Sequence, residues 1–254
     1  MKMETTRYEI RSPRLPFAFD GFTIAHITDL HNREFGARLI ERIEAVRPDI
    51  IAVTGDTVHR ENESGAAEKC LRAAAAIAPV YFVAGNHESV LKSYAAFRQT
   101  LTDMGVRVLS DQYETLTRGD DCIAVLGMRD PAFFAGGKAE FCATLENKRD
   151  EIVAAGIPYT VLLSHRPELF EKYAALGIDV TLCGHAHGGH VRLPFIGAFY
   201  APNQGLFPKY TEGLHTKEGM TMAIGKGLGK SSWVPRIFNP PELAVEVLRC
   251  AQGA

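Results

Sequence analysis

The chain has 254 residues, of which 46% are apolar and 23% charged, and its formal net charge is −2. This is an ordinary soluble globular composition with room for a sizeable core, and without a long basic block a general nucleic-acid binder is not expected. Five scattered cysteines with no C-x-x-C pair argue against a disulfide framework or a cysteine zinc site, and no apolar stretch is long enough for a signal peptide or membrane span, so a cytoplasmic protein is expected.

Residues 1–20 read as an extended leader with an edge strand around Tyr8-Glu9-Ile10. The β-branched run Phe22–Ile27 is the first strong strand and leads into Thr28-Asp29-Leu30-His31. Leu39, Ile40, Ile43 and Val46 share one face of a helix over Ala37–Val46, which Pro48 stops. The strand Ile50–Val53 ends in Thr54-Gly55-Asp56, and an alanine-rich helix over Ala66–Ala78 follows. The strand Val80–Val83 ends in Ala84-Gly85-Asn86-His87-Glu88, before a helix over Leu91–Met104. This alternation implies a parallel sheet.

Next come strands at Val106–Leu109, Tyr113–Leu116 and Cys122–Met128, and a helix over Ala139–Ala154. The strand Tyr159–Leu163 ends in Ser164-His165, and a short helix over Pro167–Leu176 leads to the apolar run Ile178–Leu182. That run opens into Cys183-Gly184-His185-Ala186-His187-Gly188-Gly189-His190. Residues 191–240 are rich in glycine, proline and aromatics, Trp233 among them, and read as a loop-rich cap or lip; later strands fall at Met220–Ile224 and Leu243–Leu248. With no repeat or linker, residues 1–254 read as one domain.

The strand ends carry a pattern. Asp29 and His31, Asp56, Asn86 and His87, His165, and His185 with His187 follow five apolar strands in turn. Ligands in α/β proteins gather at the carboxyl ends of strands, whereas ordinary strand ends carry generic turn residues. Oxygen donors mixed with imidazoles, and no thiolate, suit manganese, iron or zinc. So many donors exceed the roughly four of one tetrahedral site, so two ions are expected, with Asp56 as the natural bridge. Two divalent ions about 3.5–4 Å apart can hold an oxyanion and acidify a shared water, which suits phosphoester hydrolysis.

The ordered blocks Asp29-Leu30-His31, Gly55-Asp56, Gly85-Asn86-His87-Glu88, His165 and Gly184-His185-Ala186-His187 resemble those of the calcineurin-like metallophosphoesterase superfamily. The run after His187, through Arg192-Leu193-Pro194-Phe195 and Gln204–Tyr210, is similar to its small bacterial phosphodiesterase-type branch. The resemblance covers about residues 20–250. It implies a four-layered α/β/β/α sandwich of two mixed β-sheets flanked by helices. It also implies a first metal held by Asp29, His31 and His187, a second held by Asn86, His165 and His185, and Asp56 between them. His87 would be the catalytic acid or positive stabiliser at the leaving oxygen, and a metal-bridging hydroxide would attack phosphorus in line. Manganese is the first choice of metal, zinc or iron the next.

Other residues read less sharply. His26 reads as a core or sheet histidine, His215 as solvated in a polar loop, and Glu88 as closing a turn or supporting its neighbours. Arg129 and Arg166 read equally as phosphate contacts or ion-pair arginines. Many relatives carry an acidic residue three positions after the bridging aspartate; here His59 stands there, leaving His87 without that carboxylate partner. His31 is present and position 59 is not tyrosine, which disfavours the purple acid phosphatase branch. His190 stands where relatives often have glutamine. His59, Arg129 and His190 are therefore the candidate substrate contacts.

The expected activity is metal-dependent hydrolysis of a phosphodiester or pyrophosphate bond. Hydrolysis of a lipid-linked pyrophosphate such as UDP-diacylglucosamine is the alternative, with segment 194–210 as an apolar lip in peripheral contact with lipid or membrane. A non-catalytic interaction scaffold on the same fold is the rival from another class. No obligate protein partner is indicated.

Overall fold

Five short runs, β2 (Thr23–Ile27), β3 (Ile50–Thr54), β4 (Val80–Val83), β8 (Thr160–Leu163) and β9 (Val180–Cys183), are buried along their whole length. Continuous apolar strands of this kind belong in the interior of parallel sheets, covered on both faces. The structure, a computed structural model, describes residues 2–61, 63–193, 195–230 and 235–251, so Pro194 and Trp233 lie outside the described residues.

The remaining strands are β1 (Glu4–Ser12), β5 (Arg107–Val108), β6 (Gln112–Arg118), β7 (Asp121–Gly127), β10 (Arg192–Leu193), β11 (Gly197–Ala198), β12 (Tyr200–Ala201), β13 (Gly205–Leu206), β14 (Gly213–Lys217), β15 (Met220–Ile224) and β16 (Glu242–Cys250). The helices are α1 (Ala37–Val46), α2 (Gly65–Ala75), α3 (Asn86–Ser89), α4 (Tyr94–Asp103), α5 (Gly137–Ala154) and α6 (Phe170–Ala175). One six-stranded sheet has the order β1-β16-β2-β3-β4-β5 and the other β14-β15-β9-β8-β7-β6. Each is mixed. β2 to β5 run parallel, as do β7, β8, β9 and β15, while β16 is antiparallel to β2 and β6 to β7.

Alternation along the strands makes three apolar layers. Ile24, Ala52, Tyr81 and Val83 meet Val125, Val161, Leu163 and Leu182 between the sheets. On the opposite face of the first sheet, Ile27, Val53 and Phe82 pack with Leu39 and Ile43 of α1, Leu71 of α2 and Leu101 of α4. The second sheet turns Leu126, Leu162 and Ile224 toward Phe141 and Leu145 of α5 and Tyr173 of α6. The result is a four-layered α/β/β/α sandwich. No helix among the described residues is long and apolar enough to cross a membrane.

Several sequence expectations change in detail. The leader contains a nine-residue strand, β1, paired in parallel with β16, with Tyr8 opposite Glu246. The helix expected from Leu91 starts at Tyr94, and the short α3 carries the Asn86-His87-Glu88 block instead. His215 is not in a solvated loop. It lies half-buried on β14, edge-on to Tyr210 at 5.0 Å, with Nε2 3.1 Å from the Glu212 carbonyl oxygen. His26 is a fully buried sheet histidine between Glu246 Oε1 (3.2 Å) and Thr54 Oγ1 (2.7 Å), as its place inside a strand suggested.

Candidate metal centre

The carboxyl ends of β2, β3 and β4 in one sheet and of β8 and β9 in the other deliver their loops to one place. Asp29, His31, Asp56, His185 and His187 all sit there at positive φ, between 45° and 66°. Few residues with a Cβ tolerate that region, and Asn, Asp and His are the enriched exceptions. The loops also touch. A Cβ on Gly85 would lie 2.3 Å from Asp56 Oδ1, and one on Gly184 would lie 1.8 Å from Thr28 Oγ1 and 2.6 Å from Asp29 Oδ2. Glycine at these two motif positions is therefore a requirement of close backbone approach.

Two buried groups of donor atoms result. Asp29, His31 and His187 bring one atom each within 4.8 Å of one another, and so do Asp56, His165 and His185. Within the first, His31 Nε2 faces His187 Nε2 at 3.2 Å, and His187 Nε2 is 3.5 Å from Asp29 Oδ1. Within the second, His165 Nε2 lies 3.2 Å from both His185 Nδ1 and Asp56 Oδ2. Asp56 Oδ2 is also 3.9 Å from His31 Nε2, so this carboxylate stands between the groups. The amide oxygen of Asn86 is buried and has no hydrogen-bond partner.

Surrounding groups fix these side chains. The Nδ1–H of His165 donates to the Thr54 carbonyl oxygen at 2.7 Å, which turns Nε2 toward Asp56. At His185, Nε2 meets Asn203 Oδ1 at 2.8 Å, and an Arg166 Nη1–H donates to the same oxygen. Arg166 Nη1 also lies 2.9 Å from this Nε2, so the two polar neighbours hold the ring by that nitrogen and keep Nδ1 toward the cluster. Asn239 Nδ2 donates to the carbonyl oxygens of His187 (2.6 Å) and His190 (3.1 Å), clamping their turn.

Glu88 is fully buried and is an anchor. Its Oε1 accepts from Thr57 N–H (2.7 Å), Thr57 Oγ1–H (2.9 Å) and Val58 N–H (3.1 Å). Its Oε2 accepts from Asp56 N–H (2.8 Å) and Gly85 N–H (2.9 Å), so one carboxylate ties the Asp56 loop to the start of α3. Asn203 and Asn239 were not singled out in the sequence. Both stand in proline-flanked stretches that read as generic turns, and only the fold brings them to the histidines.

Electrostatics favour a cation. Burial opposes charge on His165, yet Asp56 and Asp29 outweigh it and raise its pKa to about 10. Burial pushes Asp29 up to about 6, with His165 pulling the other way. Burial acts upward on Asp56 too, but His165, His31 and His87 hold it well below the carboxylate range. His31 is pushed down to about 3 by burial, and His185 and His187 lie well below the usual imidazole value for the same cause. Three imidazoles thus present lone pairs, and a single proton on His165 supplies the positive charge that two buried carboxylates demand.

A family model described as calcineurin-like phosphoesterase matches residues 22–189, the stretch that carries every one of these donors. The chain belongs to this family. It is a metal-dependent phosphoester hydrolase, and the two donor groups can bind the divalent metals that the family uses. This phosphoesterase is 28% identical over 255 residues to the uncharacterized metallophosphoesterase YkuE of Bacillus subtilis, a match covering 97% of this chain and 86% of that protein. It is 27% identical over 250 residues to the phosphodiesterase YaeI of Escherichia coli, covering 94% and 87% respectively. Among solved structures, the sulfate thiohydrolase SoxB of Thermus thermophilus superposes with a TM-score of 0.56 at 17% identity, covering 92% of this chain and 57% of that one. The NAD nucleotidase NadN of Haemophilus influenzae gives a TM-score of 0.56 at 17% identity, with 81% and 45% covered. The phosphoesterase spans about half the length of these two structures, and the likeness is one of fold.

Around the centre of this phosphoesterase, His87 is partly exposed, with Nε2 3.8 Å from Asp56 Oδ2 and its backbone N–H donating to Asp56 Oδ1 at 2.9 Å. His59 stacks on His87 at 4.9 Å and meets His31 edge-on at 5.3 Å. His190 is buried, stacked on His187 at 5.0 Å, and burial and Arg236 push its pKa down to about 4. Arg129 is paired with Asp111, its Nε 2.8 Å from Oδ2, and lies over Phe133 and Phe134. Arg166 is held by Asp130, with Nη2 3.0 Å from Oδ1, and touches His185 rather than open solvent.

Proposed function

We propose that the chain hydrolyses a phosphodiester or pyrophosphate bond with two divalent metal ions. Asp29, His31 and His187 hold the first ion, Asn86, His165 and His185 the second, and Asp56 stands between them. The observation that carries this reading is the pair of buried donor groups on either side of Asp56. Three features support the fit. The Asn86 amide oxygen is buried without a partner. Imidazole nitrogens face one another at 3.2 Å, a contact that needs a proton or a cation between them. Donor atoms of carboxylate, amide and imidazole type suit manganese, with zinc and iron as the next choices.

When bound, two such ions supply Lewis acidity toward phosphoryl oxygens and acidify water. The protein's own residues do the rest. His87 stands at the open side of the centre, fixed through its backbone bond to Asp56, and delivers a proton to the departing oxygen from its imidazole. His59, stacked on that ring, takes the place of an acidic partner and adds a second imidazole edge for a phosphoryl oxygen. Arg166 holds Asn203 and thereby His185, a positioning role set by its pairing with Asp130. Residues 1–254 act as one domain. The name of the Escherichia coli relative, a phosphodiesterase, favours a diester over a monoester.

The test is an assay of wild type, His87→Ala and Asp56→Asn on a chromogenic diester with added Mn²⁺, alongside metal analysis. We expect two ions per wild-type chain, retained in His87→Ala and reduced in Asp56→Asn. Turnover should fall at least about a hundredfold in both variants. Full activity in Asp56→Asn would refute the assignment.

A further inference from the structure

Asp29 with His31 and His187, and Asp56 with His165 and His185, are two of three groups of close donor atoms in the described residues. The third is His31, His59 and His87, which bring one ring nitrogen each within 4.8 Å of one another. His59 lies on His87 with ring centroids 4.9 Å apart and planes 30° from parallel. His31 closes the group from behind, edge-on to His87 at 4.8 Å and to His59 at 5.3 Å. His31 is buried, whereas His59 and His87 are half-buried, so the two outer rings reach solvent.

The group's own surroundings leave nitrogens without partners. His59 Nδ1 and His31 Nδ1 are buried and have no hydrogen-bond partner among the described residues. His87 Nε2 stands 3.8 Å from Asp56 Oδ2, beyond hydrogen-bond length. Unpaired buried polar atoms are costly, and a cation would pair with those that carry a lone pair. The sequence points the same way. Position 59, three after Asp56, carries histidine where many relatives carry an acid. A carboxylate there would hold a proton on His87, whereas an imidazole adds a second donor nitrogen. A pair of nitrogen donors suits Zn²⁺, Ni²⁺ or Cu²⁺ better than Mn²⁺. His31 turns its Nε2 to His187 in the first group, so His59 and His87 are the rings left for this ion, and water completes its shell. Two protein donors hold an ion more weakly than three or four, so this position fills last.

We propose that His59 and His87 form a third, inhibitory cation site, selective for zinc-like ions, beside the two donor groups. An ion there takes the ring lone pair of His87 and sends that ring's proton to solvent, so none is left for the departing oxygen. The inhibition rests on the hydrolytic reading above; the binding does not. The test uses the tag-free full chain as wild type and as His59→Phe, which keeps a ring against His87 and removes both nitrogens. His59→Leu replaces it if His59→Phe melts early. Bound zinc is counted after dialysis against excess Zn²⁺. Hydrolysis of a soluble diester by the Mn²⁺-loaded proteins is followed as Zn²⁺ is added, each relative to its own zinc-free rate. We expect three zinc ions per wild-type chain and two per variant chain. The zinc concentration that halves the rate should rise at least about tenfold in the variant. Equal zinc counts in the two proteins overturn the site, whatever the number. Equal inhibition of both assigns the effect to exchange of zinc for manganese at the first two positions and overturns the inhibitory role. One zinc ion fewer in the variant, with no diester turnover by wild type, supports the site and counts against the hydrolytic reading alone.

Discussion

Replacing Glu88 by glutamine probes how the metal centre is braced. The carboxylate receives three donors on Oε1 and two on Oε2, all buried. A glutamine keeps an oxygen toward Thr57 and Val58 but sets its NH₂ against the N–H groups of Asp56 and Gly85. Two bonds to a charged acceptor are lost, at about 1.5–3 kcal/mol each. Burial pushes the Glu88 pKa up, with Asp56 adding to it, so removing the charge returns part of this. A net loss near the low end, about 3 kcal/mol, lowers the melting temperature by roughly 6–12 °C in a chain of this size. The melts are recorded with and without chelator, since bound metal stabilises by mass action and would mask the effect. Metal analysis should show fewer ions retained, because the Asp56 backbone is no longer tied to Glu88 and only the His87 N–H bond to Asp56 Oδ1 joins it to α3. A Glu88→Gln protein that melts within about 2 °C of wild type under chelator and keeps full metal would show that Glu88 does not brace the site.

Other expectations follow from the same geometry. Gly184→Ala forces a methyl group onto Thr28 Oγ1 and Asp29 Oδ2, and should lose at least about 2 kcal/mol in urea denaturation. Adding Thr28→Ala should return part of that loss; no recovery would mean the clash lies elsewhere. Asn203→Ala removes the amide that meets His185 Nε2 and anchors Arg166 and should weaken metal binding about 10- to 100-fold by competition with a chelator, with little change in melting of the metal-free protein. Metal uptake should release about one proton, because His165 holds one below a pKa of about 10 and must yield its lone pair. Affinity therefore rises with pH, about tenfold per unit, and levels off near pH 10. Titration calorimetry in buffers of different ionisation enthalpy measures the release, and a heat independent of buffer would mean that His165 is neutral when metal arrives.

Much of the centre was legible because its ligands follow apolar runs whose burial makes them recognisable. Ile50–Thr54 and Val80–Val83 are such runs, and Asp56 and Asn86 come within three residues of their ends. The sheets' outer edges were harder. β14 reads Gly-Leu-His-Thr-Lys, pairs on one side only, and is mostly exposed, so neither apolar run nor clear alternation marks it. β1 mixes charged and apolar residues for the same reason, and only Tyr8–Ile10 hinted at it. The bracing residues were invisible for another reason. Asn203 reaches a histidine 18 positions away, and Asn239 reaches one 52 away, so their partners are set by tertiary folding alone. His190 shows the converse. The usual glutamine at its position made it a candidate substrate contact, and the fold buries it, stacked on His187.

The position of β16 has a consequence for biosynthesis. This strand is the last of the described elements, yet it lies between β1 and β2 and supplies Glu246 to His26, beside Thr54. All seven proposed donors lie between Asp29 and His187, so a nascent chain possesses every ligand before the strand that completes the first sheet, the one bearing Asp29, His31, Asp56 and Asn86, emerges. Until β16 leaves the ribosome, β1 has no neighbour and one flank of β2 is bare. Metal added to stalled chains ending before Glu242 should be held weakly, and tight retention should begin once Glu242–Cys250 is free to pair with β1 and β2.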